Sequence, residues 1–211
     1  MLVLGLTGGI AMGKSHAVRA FRAFGVPVHD ADAEVHALMA PGGAAVGAVA
    51  SAFSGSLAAD GGIDRAALGR QVFADPSARR RLETILHPRV REAEGRFLAR
   101  CCREGRRIVV LDVPLLYETG GERRCDRVAV VSTHGWLQAQ RALARRGMTR
   151  ERLEAVRASQ MPDRIKRRRA DFVIVSGLDR GATVGQVGDL LRHLRDVEGE
   201  AWPRRWTRDN E

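Results

Sequence analysis

Residues 2–15, LVLGLTGGIAMGKS, constrain this chain more than any other stretch. A short run rich in Leu and Val leads through Thr7 into Gly8-Gly9, then Ile10-Ala11-Met12, then Gly13-Lys14-Ser15. The letters satisfy G-x-x-x-x-G-K-[ST], the phosphate-binding loop. Glycines let the backbone bend so that successive N–H groups face one anion, and the helix that follows adds the positive end of its dipole. In such a loop Lys14 reaches the β and γ phosphates and the Ser15 hydroxyl holds Mg²⁺. A glycine-rich turn with an incidental lysine would match the same letters. The distinguishing context is a strand before the loop and a helix after it, and the flanking patterns predict both.

Short runs rich in Val and Ile recur: LVLGL (2–6), VPVH (26–29), IVVLDV (108–113), RVAVV (127–131) and FVIV (172–175). They are apolar on consecutive positions, as strands buried on both faces must be, so they predict a parallel sheet covered by helices and an α/β fold. Helical character fills 14–24, 32–40, 43–53, 65–74, 77–103, 135–146, 150–160 and 182–196. Asp75 stands where an N-cap belongs, with Pro76 at the first helical position. Pro88 is expected to end or kink the helix before it, making ILHPRV a joint between two helices. The expected organisation is one domain over 1–198, with a helical insertion at about 33–105. The tail 199–211 lacks periodicity and is expected to be loose.

The 35 basic residues against 25 acidic ones give a formal charge of +10, and only Lys14 and Lys166 are lysine. Arginine forks grip phosphate oxygens in pairs, so the excess suits an anionic ligand, although an arginine-rich solvated surface would carry the same count. Cys101, Cys102 and Cys125 form no CxxC pair, which fits a reducing, cytoplasmic setting and argues against a disulfide framework. The six histidines show no paired ligand spacing. No window approaches the roughly 18 apolar residues of a membrane span, so no membrane partner is expected.

Three further stretches carry candidate chemistry. In VPVHDADAEVH a strand end opens a helix with Asp30 and Asp32, and acids at the carboxyl ends of strands face the ligand crevice of a doubly wound sheet. A carboxylate there accepts the proton of an attacking hydroxyl, while either Asp could also cap the helix. In IVVLDVPLLYE a hydrophobic strand ends in Asp112, the placement of an acid that helps to hold Mg²⁺. Leu115 and Leu116 are expected in the core. In QAQRALARRG, Arg141 and Arg145 lie four apart on a predicted helix face and suit charge neutralisation over a triphosphate. Arg146, Arg150, Arg167, Arg168 and Arg169 are read as solvated.

Together, TGGIAMGKS, DAD, LHP, DVPLLYE, QxxRxxxR followed by ASQ, and RRADFVI resemble the dephospho-CoA kinases, in order from Leu2 to about Leu194. The resemblance implies a P-loop kinase with a helical region for the coenzyme A moiety and a mobile lid at about 138–170. The implied reaction transfers the γ-phosphate of ATP to the ribose 3′-hydroxyl of dephospho-coenzyme A. It also implies that Gly8 to Ser15, with His16, Arg145 and Gly177, bind the nucleotide. Asp32 matches the general base. His87, Pro88, Leu115, Leu116 and Glu118 match acceptor-side signatures, and Arg141 and Arg145 match lid arginines. Ala11 and Met12 stand where the family carries Gly and Ser, His16 where Thr is common, Trp136 where Glu is usual, and Ser176 where Asn often stands.

Two alternatives predict different partners. Another small-molecule P-loop kinase would act on a nucleotide or nucleoside, but its acceptor site leaves the LHP insertion unexplained. A P-loop hydrolase with an RNA-binding surface would turn over nucleotide without an acceptor, yet no interleaved aromatics of an RNA-reading module are present. The expected partner is therefore dephospho-CoA, with no nucleic acid, and the oligomeric state is left open.

Overall fold

The computed structural model describes residues 1–177 and 179–206, with residues 74 and 180 described as backbone only. The chain divides into two compact units, Met1–His29 with Leu98–Glu211, and Asp30–Phe97.

The first unit is organised by strands β1 (Leu2–Thr7), β2 (Val28–Asp30, whose last residue belongs to the second unit), β3 (Ile108–Asp112), β4 (Arg127–Ser132) and β5 (Phe172–Val175). The sheet order is β2-β3-β1-β4-β5, and the β1·β3, β1·β4 and β4·β5 pairs are parallel. All six residues of β1 are buried, which is why its sequence is apolar without alternation. The strand order reverses about β1, so its carboxyl end lies at the switch point where open α/β sheets bind ligands. One face of the sheet packs Leu2, Leu4, Leu6, Val110, Ala129, Val131 and Ile174 against helices α1 (Lys14–Ala23) and α9 (Arg180–Leu194). Phe21 of α1 is fully buried there, and truncating it to Ala would cost about 3–5 kcal/mol. A side chain at Gly5 would meet Leu116 Cδ2 at 2.7 Å, so glycine lets Leu116 pack directly on the central strand.

The other helices of this unit are α6 (Gly135–Leu143), α7 (Arg150–Ala158) and α8 (Asp163–Arg169). Helix α8 lies outside the helical stretches expected from the sequence. In its DRIKRRR run Arg167, Arg168 and Arg169 read as solvated, while Lys166 beside them is wholly buried. The tail also departs from expectation. The Asp126 carboxylate accepts from Val3 N at 2.7 Å and, through its other oxygen, from Glu200 N at 2.7 Å and Ala201 N at 2.8 Å. Trp206 donates to the Arg124 carbonyl at 3.1 Å with the Arg124 guanidinium 5.0 Å from its ring. Residues 199–206 are thus fastened by backbone and side-chain donors that no periodicity reveals; residues 207–211 lie outside the described residues.

The second unit contains α2 (Ala31–Met39), α3 (Val46–Ala52), α4 (Arg65–Ala74) and most of α5 (Pro76–Arg103). Its core joins Leu38, Met39, Val49, Phe53, Leu68 and Leu86. Asp64 caps α4 by accepting from Ala66 N and Ala67 N, and these amides hold its carboxyl below the usual range. Asp75 accepts from Ser77 N at 2.7 Å just before Pro76, as expected of a cap. The joint expected at Pro88 is absent: α5 runs through it. Pro88 has no N–H to give to the carbonyl four residues back, that of Thr84, and in the same turn Arg89 Nη1 donates to the neighbouring Ile85 carbonyl at 2.6 Å. Arg89 Nε also reaches the Ala44 carbonyl at 3.2 Å, tying this turn of α5 to the segment before α3.

Candidate active site

The loop between β1 and α1 is shaped by close approaches that only small residues permit. A Cβ at Gly8 would lie 2.6 Å from the Val131 carbonyl oxygen, and one at Gly13 would lie 2.5 Å from Ser176 Oγ. Gly13 also needs a left-handed backbone, with φ of 88°. Ala11 takes the left-handed region too, with φ of 57°. For an L-residue with a Cβ this costs about 1 kcal/mol or more, which a glycine would avoid. No side chain caps α1, and although His16 N donates to the Gly13 carbonyl at 2.9 Å, the positive end of the helix faces the loop where an anion would sit.

Around this loop the first unit assembles several of the expected residues. Lys14 Nζ lies 2.5 Å from Asp112 Oδ1, and the Asp112 side chain is only 5% exposed. Ser15 is exposed in the first turn of α1, and its hydroxyl makes no hydrogen bond among the described residues. His16 follows, half-buried, its Nδ1 3.4 Å from Arg19 Nη2. Arg141 donates to Ser176 Oγ at 3.1 Å and to the Ser176 carbonyl at 2.9 Å, while Ser176 Oγ donates to the Met12 carbonyl at 2.5 Å. Gly177 follows, where a Cβ would come within 2.8 Å of Thr133 Oγ1. Among the described residues no cluster of three or more His, Cys, Asp or Glu is spaced for a metal. One hydroxyl and one carboxylate next to a phosphate loop nevertheless fit Mg²⁺, which keeps waters and takes substrate phosphates rather than a full protein cage.

Other expected residues take different places. Helix α6 ends at Leu143, so Arg145 lies in the turn beyond it, exposed, and does not share a helix face with Arg141. Leu115 is 40% exposed although it was expected in the core, whereas Leu116 is 2% exposed and packs on Gly5. Glu118 accepts from Lys166 Nζ at 2.9 Å and from Met161 N at 2.7 Å, so its carboxylate anchors the buried ammonium. Lys166 also donates to the Pro114 carbonyl at 3.2 Å. Arg169, read as solvated, donates to Glu122 at 2.7 Å and lies 4.6 Å from the Tyr117 ring. Burial pushes the Tyr117 hydroxyl up to about 12 against the opposing pull of that guanidinium.

In the second unit Asp30 and Asp32 separate. Asp30 caps α2, accepting from Ala33 N at 3.0 Å. Asp32 is exposed in the first turn, and its carboxylate makes no hydrogen bond or ion pair among the described residues. The capping role is therefore taken by Asp30, and Asp32 is left available. His87 and Pro88 lie exposed in the middle of α5. The same unit contains a cavity of about 220 Å³ lined by His36, Met39, Pro41, Asp60, Ile63 and Arg65.

Residues that the sequence reading gave no role also touch the loop. Gln138 Nε2 donates to the Ile10 carbonyl at 2.9 Å, and Gln160 Oε1 accepts from Ile10 N at 3.0 Å. Both glutamines stand inside the quoted QxxR and ASQ motifs, which was the only signal available; their pairing on one peptide is a tertiary fact.

A family model described as dephospho-CoA kinase matches residues 2–179. A relative of that name from Paramagnetospirillum magneticum is 63% identical over 167 residues, 79% of this chain and 78% of the relative. Another, from Rhodospirillum rubrum, is 57% identical over 178 residues, 84% of each chain. Among solved structures, TT1252 from Thermus thermophilus superposes with a TM-score of 0.81 at 31% identity, covering 94% of this chain and 98% of that one. With a phosphate loop at the switch point of a parallel sheet and a family match over most of its length, the chain belongs to the dephospho-CoA kinase family.

Proposed function

We propose that the chain transfers the γ-phosphate of ATP to the ribose 3′-hydroxyl of dephospho-coenzyme A, giving coenzyme A and ADP in the cytoplasm. The observation that carries this reading is the family match over residues 2–179 together with the uncapped phosphate loop. The loop amides and Lys14 hold the triphosphate. Ser15, with Asp112, would hold Mg²⁺, which when bound would neutralise phosphate charge. Asp32 accepts the proton of the 3′-hydroxyl as its oxygen bonds to the γ-phosphorus, and the bond to the β,γ-bridging oxygen breaks. Asp32 is supported as the base because Asp30 already serves as the helix cap. Arg141 and Arg145, on a lid at about 138–170, offset the charge that develops on the transferring group.

The acceptor is assigned to the helical unit, where His87 and Pro88 are exposed on α5. Its cavity offers apolar walls with His36 and Arg65 beside them, a chemistry suited to part of the coenzyme arm. The test is an ADP-release assay offering ATP-Mg with dephospho-coenzyme A, phosphopantetheine, nucleoside monophosphates or water. Turnover with dephospho-coenzyme A at least a hundredfold above the others is expected, an order of discrimination that buried polar recognition supplies. Preference for a nucleoside monophosphate, or turnover with water alone, would overturn the assignment.

A further inference from the structure

Ile10 is gripped by side chains at both its N–H and its carbonyl, and the residue after it is the strained Ala11. The Ile10 carbonyl belongs to the peptide plane from which the φ of Ala11 is measured. Holding that carbonyl therefore restrains one side of the torsion that stands at 57°. Gln138 does so with a 2.9 Å bond from its amide nitrogen. The orientation of this amide is itself determined, because Arg157, which can only donate, reaches Gln138 Oε1 with Nε at 3.2 Å and Nη2 at 2.8 Å. Gln160 Oε1 takes the Ile10 N–H at 3.0 Å, holding the preceding peptide as well. Behind the loop, buried Ala11 packs against Ala142 and Leu153, and Ala139 and Met148 join the cluster.

Glycine at position 11 would adopt the left-handed region unaided; alanine does not. We propose that Gln138 and Gln160, with Arg157 behind Gln138, are positioning residues that hold the Ile10–Ala11 peptide in the conformation that converges the loop N–H groups on the nucleotide. The proposal rests on the reading that this loop takes ATP. Each glutamine acts through the peptide and not on a phosphate. The strain of Ala11 and the clamp on Ile10 are two halves of one device. Removing the clamp lets the loop relax, and the fraction of binding-competent protein falls.

The test replaces Gln138→Met and Gln160→Met, each near in shape but unable to make the bond, alone and combined with Ala11→Gly. The readout is the dissociation constant of ATP-Mg and of a fluorescent ADP analogue without acceptor, with thermal unfolding measured in parallel. Each Met variant is expected to raise the dissociation constant about tenfold, the size that loss of one neutral hydrogen bond permits. Ala11→Gly is expected to restore most of that loss, because glycine needs no clamp. Unchanged affinity in the Met variants, or a loss that Ala11→Gly does not relieve, would overturn the positioning role. Should Gln138→Met fail to fold, Gln160→Met carries the same comparison from a less buried position. A wild-type chain that binds no ATP-Mg would overturn the functional reading along with the clamp, whereas normal wild-type binding with indifferent variants would overturn the clamp alone.

Discussion

Lys14 and Asp112 form an ion pair of 2.5 Å at the carboxyl ends of adjacent strands, the lysine opening α1 and the aspartate closing β3. In the proposed mechanism Lys14 serves the triphosphate and Asp112 would help to hold Mg²⁺. Asp112→Asn is expected to lower kcat/KM for ATP-Mg on the order of a hundredfold, the scale seen when one preorganised charged group is removed. Lys14→Met, which deletes the cation itself, is expected to cost more. Steady-state kinetics at saturating acceptor checks both, and near-parental values for Asp112→Asn would remove that residue from the site.

Two loop glycines are restricted by different neighbours. At Gly13 the added methyl meets a side chain, Ser176 Oγ at 2.5 Å; at Gly8 it meets the backbone carbonyl of Val131 at 2.6 Å. Both Gly8→Ala and Gly13→Ala are expected to weaken ATP binding by more than tenfold, since the loop must shift to admit a Cβ. Adding Ser176→Gly is expected to recover part of the Gly13→Ala loss, up to the residual cost of a left-handed alanine. No such partner exists for Gly8→Ala. Calorimetric titration of the single and double variants measures the difference.

Glu118 lies within the motif that suggested acceptor binding, yet its carboxylate serves the fully buried Lys166. Breaking a buried pair from one side leaves a charge without its counterpart and costs about 3–5 kcal/mol. Glu118→Gln is therefore expected to lower stability by about 3 kcal/mol, and the double variant Glu118→Gln with Lys166→Met to regain much of it. Urea denaturation follows stability, and the KM for dephospho-coenzyme A is measured beside it. A stable Glu118→Gln with a strongly raised KM would return Glu118 to the acceptor site.

Pro88 breaks the amide ladder of α5 without ending the helix. Restoring an N–H with Pro88→Ala is expected to stabilise the protein by about 1–3 kcal/mol, within the range that proline costs a helix interior. Because His87 and Pro88 are proposed to face the acceptor, the same change is expected to raise the KM for dephospho-coenzyme A. Thermal unfolding and acceptor kinetics on one preparation check this trade, and a gain in stability with unaltered KM would make Pro88 a purely structural residue.

Much of this architecture was legible because buried parallel strands write themselves as apolar runs. All five strands fall where those runs lie, and Gly8 to Gly13 form the loop between strand and helix, with Lys14 and Ser15 opening α1. What escaped the reading depends on contacts made across the sequence. The basic run of α8 concealed a buried lysine whose partner lies 48 residues away. Pro88 resembled a helix end because proline lacks the helical N–H, and the packing that carries α5 through it has no local sequence signature. Arg145 keeps a helical spacing from Arg141 after the helix has stopped. The clamp on Ile10 was hidden for the same reason: Gln138 and Gln160 are distant from the loop in sequence, and nothing local announces that Ala11 is left-handed.

The central claim is that a phosphoryl group moves from ATP to one particular alcohol. Incubation of the chain with ATP-Mg and dephospho-coenzyme A, followed by ³¹P NMR with proton coupling to the ribose, locates the new phosphate directly. The account predicts a single phosphomonoester on the 3′-carbon, formed in step with ADP. A phosphate on any other oxygen, or ADP and free phosphate with the ribose unmodified, would contradict it.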